Sequence, residues 1–302
     1  MKVLISGGSG MLGSYLIPLL VSKGHTIVNL TTRSELAGTT KQGLINVFWN
    51  PSSGELDRAL VTDLEAIINL AGFNLANRWT KKNQQLMVES RLDSTKLLIE
   101  IANNSSSSLK VFVSASGSGF YPDSLDLMDE EGPKGEGFIS DLTADWEKVL
   151  DPLEKLNVRV VKMRTAVILD KNHGALSKML PFFKLGLGAA VGNGKQYISW
   201  LHAEDAAAAY VFAIENNAVK GVYNLTTDEP VTNKVFSSQL AVSLKKPLFL
   251  PNVPGFILKL LFGKMANLVL RSNRMSAKKI QSAGYKFKFP NLQQALNNVF
   301  QS

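Results

Sequence analysis

Nine residues near the start of the chain, Ile5-Ser6-Gly7-Gly8-Ser9-Gly10-Met11-Leu12-Gly13, hold glycines at the spacing G-x-G-x-x-G and at the wider spacing G-x-x-G-x-x-G. The pattern alone is weak. Here a run of strand length, Lys2–Ser6, precedes it and a helical pattern, Met11–Lys23, follows, and that context makes it informative. Gly7 and Gly10 permit a tight turn and let backbone amides, those of Ser9, Met11 and Leu12 among them, approach a pyrophosphate. The start of the helix adds partial positive charge for the anion. Gly13 lets the helix lie close to the strand. The next strand ends Asn29-Leu30-Thr31-Thr32-Arg33-Ser34. A dinucleotide without a 2′-phosphate is usually held there by an Asp or Glu on its ribose. Thr32 and Arg33 occupy the spot instead, and a guanidinium suits a 2′-phosphate by charge and by its forked donors. Glu35 is a nearby countervailing charge. NADP is therefore the expected cofactor, and NAD the less favoured one. His25, His173 and His202 are scattered without H-x-x-x-H spacing, so no metal site is expected.

These residues need elements to position them. Strands at Lys2–Ser6, Thr26–Leu30, Ala66–Leu70, Val111–Ser114 and Arg159–Leu169 alternate with helical patterns over Met11–Lys23, Lys81–Asn103 and Ile139–Leu156. Such alternation argues for βαβ units, and strands apolar throughout argue for a parallel sheet covered on both faces. The expected fold is α/β: a doubly wound parallel sheet over residues 1–170, with 196–228 contributing to it, and a smaller C-terminal α/β lobe within 171–302. In the second half, Ala203–Glu215, Thr232–Leu244 and the segment after Pro254 read as helices and Gly221–Leu225 as a strand. Ser105–Ser108 reads as a surface turn. Val253–Leu270 is apolar, interrupted by Lys259, Gly263 and Lys264, and three readings stay open: a packed helix pair, a lid, or a membrane-surface contact.

Hydrophobic content of 45% and charged content of 19% over 302 residues suit a globular chain. Without cysteine, disulfides, thiolate catalysis and cysteine-bound metals are excluded. No run of about 20 apolar residues suggests a membrane span, and a cytoplasmic location is expected. The net charge of +8 is uneven: no acidic residue follows Glu229, while eleven lysines and arginines do. Three readings of that lobe stay open: an anionic ligand such as a nucleotide-diphosphate substrate, a plain solvated surface, or a polyanion, either nucleic acid or an anionic membrane. No zinc-finger or RNA-binding signature points to nucleic acid. A small-molecule partner is expected, and monomer and homodimer both stay open.

Several runs together carry a family resemblance. They are Gly7–Gly13, Asn69-Leu70-Ala71-Gly72, Arg78-Trp79, Glu89-Ser90-Arg91, and Lys178-Met179-Leu180-Pro181-Phe182. Leu185-Gly186-Leu187-Gly188, Gly192-Asn193-Gly194-Lys195-Gln196-Tyr197, Trp200-Leu201-His202-Ala203-Glu204-Asp205 and Ala283-Gly284-Tyr285 complete the set. The chain resembles the extended short-chain dehydrogenase/reductase superfamily. More narrowly, it is similar to an atypical branch labelled nucleoside-diphosphate-sugar epimerase family, some members of which carry the label cell division inhibitor. The resemblance implies a Rossmann domain, a small C-terminal domain, NADP binding and a ligand cleft between the two. Gly7, Gly10 and Gly13 would meet the pyrophosphate, Arg33 the adenosine phosphate, and Asn69, Leu70, Ala71 and Gly72 the cofactor's middle. Arg91 and Ser114 belong to the same set.

The superfamily's chemistry resembles a relay of Ser or Thr with a Y-x-x-x-K pair, in which a cation lowers the tyrosine's pKa for proton exchange during hydride transfer. Ser116 fits the serine position. The expected pair falls on Phe138 and Leu142, which hold neither a transferable proton nor a charge. Tyr121 is the nearest phenol and is open to three readings: proton donor, cleft lining or packing. Lys178 and Lys195 are candidate cations from the other lobe. Asp141 and Asp145 suit a solvated helix face, and His202 a structural turn. The expectation is hydride transfer on a small molecule, a sugar nucleotide among the candidates, with Ser116 orienting the substrate and Tyr121 as acid. The alternative is an NADP(H)-binding sensor that acts through a protein partner.

Overall fold

The computed structural model describes residues 1–105 and 107–301, so Ser106 of the serine tract lies outside the described residues. Strand β1 (Lys2–Ser6), helix α1 (Met11–Ser22) and strand β2 (Thr26–Thr31) open the chain. Strands β3 (Thr40–Lys41), β4 (Leu44–Asn50) and β5 (Glu55–Leu56) build one edge. The alternation continues with β6 (Ala66–Asn69), α2 (Lys81–Asn104), β7 (Val111–Gly117), α3 (Phe138–Lys148) and β8 (Arg159–Thr165). Next come β9 (Val167–Leu169), α4 (Gly174–Lys184), β10 (Tyr197–Ile198), β11 (Trp200–His202), α5 (Ala203–Glu215) and β12 (Gly221–Leu225). The chain closes with β13 (Val231–Thr232), α6 (Asn233–Ser243), α7 (Gly255–Phe262), α8 (Asn267–Leu270), α9 (Lys278–Ser282) and α10 (Leu292–Gln301).

Seven strands pair in parallel in the order β12-β8-β7-β6-β1-β2-β4. The order reverses at β1, between β2 and β6, and such a reversal opens a crevice at the carboxyl ends of the strands. Burial on both faces explains the uninterrupted apolar strands. Val3 and Ile5 pack under α1 and α5 with Leu16, Leu20 and Ala206, while Leu4 and Ile67 face Leu98 of α2 and Phe112. A separate core holds the C-terminal lobe, where Trp200, Leu180 and Phe183 meet Phe236 and Leu240 of α6 and Leu296 of α10.

Four segments differ from the sequence reading. β4 has no counterpart in it: Ile45, Val47 and Trp49 form one wholly apolar face, while Asn46 and Asn50 interrupt Leu44 and Phe48 on the other. The helix expected over Ile139–Leu156 runs from Phe138 to Lys148, and a 3-10 turn at Asp151–Lys155 follows, with Pro152 inside it. The strand expected over Arg159–Leu169 divides at Ala166. β8 stays in the main sheet, while β9 turns out to pair with β11. Finally, α7 does not pack as one of a buried helix pair, since Leu258 is its single buried residue.

Candidate functional site

The glycine turn is wedged into the crevice by contacts that leave no room for side chains. Gly7 has φ +73°, and a Cβ on it would lie 2.7 Å from the carbonyl carbon of Leu70, at the end of β6. A Cβ on Gly13 would fall on the backbone of Gly8, 2.5 Å from its Cα. The turn therefore joins β1, α1 and the Leu70-Ala71 segment in one rigid corner. Gly10 is the N-cap of α1 and supplies no side-chain hydrogen bond, and the first turn of the helix carries no acidic residue. A helix start left this way has free amides and the positive end of its dipole open to an anion or to water. Ser9 and Gly10 are exposed, and Met11 and Leu12 are half-buried.

At the end of β2, Thr31 is buried and its Oγ1 accepts from the Arg33 amide at 3.1 Å. Thr32 and Arg33 are exposed, and among the described residues no carboxylate pairs with Arg33. Its guanidinium is free to meet an anion at the carboxyl edge of the sheet.

The Asn69–Gly72 corner divides its labour. Asn69 is fully buried and its side chain is committed to the protein. Its Oδ1 accepts from Ser6 Oγ at 2.7 Å and from the Ala71 amide at 3.3 Å, while its Nδ2 donates to Thr95 Oγ1 at 2.8 Å. The Asn69 side chain sets the shape of the corner, and Leu70, Ala71 and Gly72 follow it at the end of the strand. Gly72 lies directly over Arg91, where a Cβ would stand 2.9 Å from Cζ. Arg91 Nη1 donates to the carbonyls of Met87 (3.0 Å) and Phe73 (3.1 Å), and the guanidinium stacks on Trp146 at 5.0 Å. Burial lowers its pKa to about 10, so the cation persists at neutral pH. No carboxylate pairs with it among the described residues.

Ser116, near the carboxyl end of β7, and Tyr121, just after it, belong to a buried polar cluster. Ser116 Oγ donates to Glu147 Oε1 at 2.6 Å. Glu147 in turn takes a two-pronged contact from Arg164, Nε to Oε1 at 2.8 Å and Nη2 to Oε2 at 2.9 Å. Arg164 Nη1 donates to the Tyr121 hydroxyl at 3.0 Å and to the Glu130 carbonyl at 3.0 Å. The Tyr121 hydroxyl donates to Asn224 Oδ1 at 2.6 Å. Tyr121 is 1% exposed, and burial pushes its pKa up to about 12 against the opposing pull of Arg164. Both sides of its hydroxyl are occupied and the side chain is buried, an arrangement that suits the packing reading of Tyr121. Ser116 is likewise held by Glu147 rather than presented to a ligand. Ser114 is fully buried on β7, level with Asn69 in the register, and its Oγ donates to the Ala115 carbonyl at 3.1 Å.

Where the superfamily's tyrosine and lysine would stand, the site is apolar. Leu142 packs with Met87 and Ile139, and Phe138 joins that cluster with its ring 5.3 Å from Trp79. Lys178 is exposed, and Lys195 makes a backbone contact to the Asn193 side chain in an exposed turn. Asp141 pairs with Lys134 on the surface. Each histidine has a structural partner: His25 meets Glu215 at 3.0 Å, His173 meets Asp170 at 2.9 Å, and His202 Nδ1 accepts from the Glu204 amide as N-cap of α5. Among the described residues no group of side chains is suited to a metal ion, and no helix is long and apolar enough to cross a membrane.

The sequence reading missed Glu147, Arg164, Glu130 and Asn224. The available signal was an arginine at an inward strand position in Arg159–Thr165 and a glutamate on the buried side of α3.

Residues 3–138 match the family model described as the NAD dependent epimerase/dehydratase family, and residues 253–299 match a domain of unknown function, DUF1731. An epimerase family protein of Mycobacterium leprae is 34% identical over 98% of this chain and 94% of its own length. The crystal structure of human epimerase family protein SDR39U1 (isoform2) with NADPH superposes with a TM-score of 0.87 at 30% identity, covering 100% of both chains. The UDP-glucuronic acid 4-epimerase of Bacillus cereus, a point mutant solved with a fluorinated UDP-sugar and NAD, shares the fold alone, with a TM-score of 0.81 at 16% identity over 100% of this chain and 98% of that one. Similarity over the full length, together with the glycine corner and the seven parallel strands, shows that this chain belongs to the epimerase family of NAD(P)-binding proteins, with a C-terminal DUF1731 domain.

Proposed function

We propose that this protein binds NADP(H) across the carboxyl ends of β1, β2, β6 and β7 and acts as an oxidoreductase or epimerase-like protein on a small molecule, in a cytoplasmic setting. The observation that carries the reading is the corner of Gly7, Gly10 and Gly13, whose Cβ positions are closed by backbone and whose helix start is uncapped. The amides of Ser9, Met11 and Leu12 would hold the pyrophosphate, Leu70, Ala71 and Gly72 would line its middle, and the buried cation of Arg91 would add positive potential beneath. Thr32 and Arg33 would take the adenosine 2′-phosphate, a choice supported by Arg33's lack of a carboxylate partner. NADPH in the human relative is consistent with it. When bound, the nicotinamide supplies or accepts hydride. The chain contributes binding, orientation and an apolar wall of Phe138, Leu142 and Trp79 that excludes water.

Titration calorimetry with NADPH and NADH on the wild type and on Arg33→Ala tests the cofactor. A charge-assisted contact of about 1.5–3 kcal/mol corresponds to a loss of roughly tenfold to a hundredfold in NADPH affinity, with NADH affinity unchanged. Equal losses for both nucleotides, or no binding of either, would contradict the assignment.

One observation favours a second reading. Phe138 and Leu142 are packed into an apolar cluster and hold no transferable proton, and Tyr121 is enclosed by protein partners. A catalytically reduced NADP(H) sensor acting through a protein partner needs no proton donor. A panel of carbonyl compounds and sugar nucleotides, followed by NADPH absorbance, separates the two. Turnover with any of them establishes the enzyme, and its absence across the panel in a protein that binds NADPH favours the sensor.

A further inference from the structure

The α7–α8 hairpin is an apolar projection with a fixed base. Of the eight residues of α7 only Leu258 is buried, while Phe256, Leu260, Leu261 and Phe262 are 71%, 80%, 60% and 40% exposed. Leu268 and Val269, on the returning arm, are exposed as well. Both feet of the hairpin are tied to the body of the lobe. The Val253 amide donates to the Ala190 carbonyl at 2.8 Å, the Gly192 amide donates to the Val253 carbonyl at 2.9 Å, and Gln196 Nε2 donates to the Val269 carbonyl at 3.3 Å. The outward aim of the leucines and phenylalanines is thus held by the backbone. A contiguous exposed apolar surface of this kind marks an interaction site.

Charge identifies the occupant. Lys259 and Lys264 stand exposed on the hairpin itself, and the whole chain after Glu229 has eleven basic residues and no acidic one. Pairing this face with the same face of a second copy would set Lys259 and Lys264 against their own counterparts, with no carboxylate on either hairpin to meet them. An anionic lipid surface satisfies both features: its acyl boundary accepts the apolar side chains, and its headgroup phosphates accept the lysines, whose stems reach along apolar surface to the charge. We infer that the α7–α8 hairpin docks this protein peripherally on an anionic bilayer, with Phe256, Leu260, Leu261 and Phe262 in the headgroup–acyl boundary and Lys259 and Lys264 at the phosphates.

The test is flotation of the full chain with vesicles of phosphatidylcholine alone and of phosphatidylcholine mixed with phosphatidylglycerol, alongside its solution mass by light scattering. The expected result is binding to the mixed vesicles only. Removing each lysine charge, Lys259→Gln or Lys264→Gln, should weaken binding about fivefold. Leu260→Ser with Leu261→Ser should abolish it with the unfolding midpoint unchanged, because both side chains are already in solvent. A failure of the wild type to float with anionic vesicles overturns the inference. So does binding that is insensitive to both sets of variants. A wild-type dimer that the serine variant converts to monomer overturns it in favour of a second copy as the occupant. None of these outcomes depends on nucleotide binding.

Discussion

Glu147→Ala is expected to lower the unfolding free energy by about 3–5 kcal/mol, the range for removing one partner of a buried ion pair. The two charges sit at 9% and 5% side-chain exposure, so loss of the carboxylate leaves the Arg164 guanidinium without a counter-charge in the interior. Burial alone would lower the Arg164 pKa. Its hydrogen bonds and charge contact with Glu147, helped by Tyr121, outweigh burial and hold it above the usual value. The same substitution strips Ser116 Oγ of its acceptor, and Arg164 is the group that fixes Tyr121 and the carbonyl of Glu130. Urea unfolding monitored by tryptophan fluorescence gives the measurement. The companion variant Glu147→Leu with Arg164→Met removes both charges and should recover part of the loss, because no buried charge is left unpaired, while Ser116 Oγ and the Glu130 carbonyl still lose their partners. A single variant within about 0.5 kcal/mol of the wild type would show that solvent or a rearranged neighbour compensates Arg164.

Gly13→Ala should have the second large effect. Its new methyl would overlap the Gly8 carbonyl, which is backbone and cannot swing aside, so α1 and the glycine turn must separate. Overpacking of this kind costs about 1–3 kcal/mol or more, and the displaced turn should lose NADPH affinity by at least roughly a hundredfold. Gly10→Ala is the informative contrast. There the added methyl meets only the Gly7 carbonyl oxygen at 3.2 Å, so folding should change little, whereas on the proposed phosphate site the methyl would crowd the pyrophosphate and NADPH affinity should fall. Parallel urea unfolding and calorimetric titration of the two variants checks the pair. If Gly10→Ala bound NADPH as the wild type does, the turn would not be the phosphate site.

The sequence carried the βαβ start because the glycines tie three decisions together: the end of β1, the turn and the close approach of α1. It carried the identity of Arg33 as an exposed cation for the same local reason, since a strand end in a parallel sheet faces the crevice. Other features depend on partners far away in the chain. Nothing within Arg159–Leu169 says that the strand must break at Ala166, because the break follows from β9 finding β11 more than thirty residues later. Tyr121 is close to Ser116 in sequence, and proximity suggested shared chemistry. The 3-10 turn at Ser118–Phe120 instead buries the ring against Arg164 and Asn224. The apolar run Val253–Leu270 leaves a packed helix pair, a lid and a membrane-surface contact open by composition, and only the placement of the lobe shows that α7 buries Leu258 alone.

The position of β12 bears on how the chain is made. This strand closes the sheet beside β8, yet roughly 60 residues separate the end of β8 from the end of β12. At a synthesis rate of ~5–20 residues per second, the β8 edge waits about 3–12 s on the ribosome with its amides and carbonyls unpaired. Asn224, on β12, completes the hydrogen bonding of the Tyr121 hydroxyl, so the Arg164 cluster also stays open during that interval. A nascent chain halted between residues 165 and 221 should therefore be protease-sensitive and a client for holding chaperones, and release should coincide with emergence of β12.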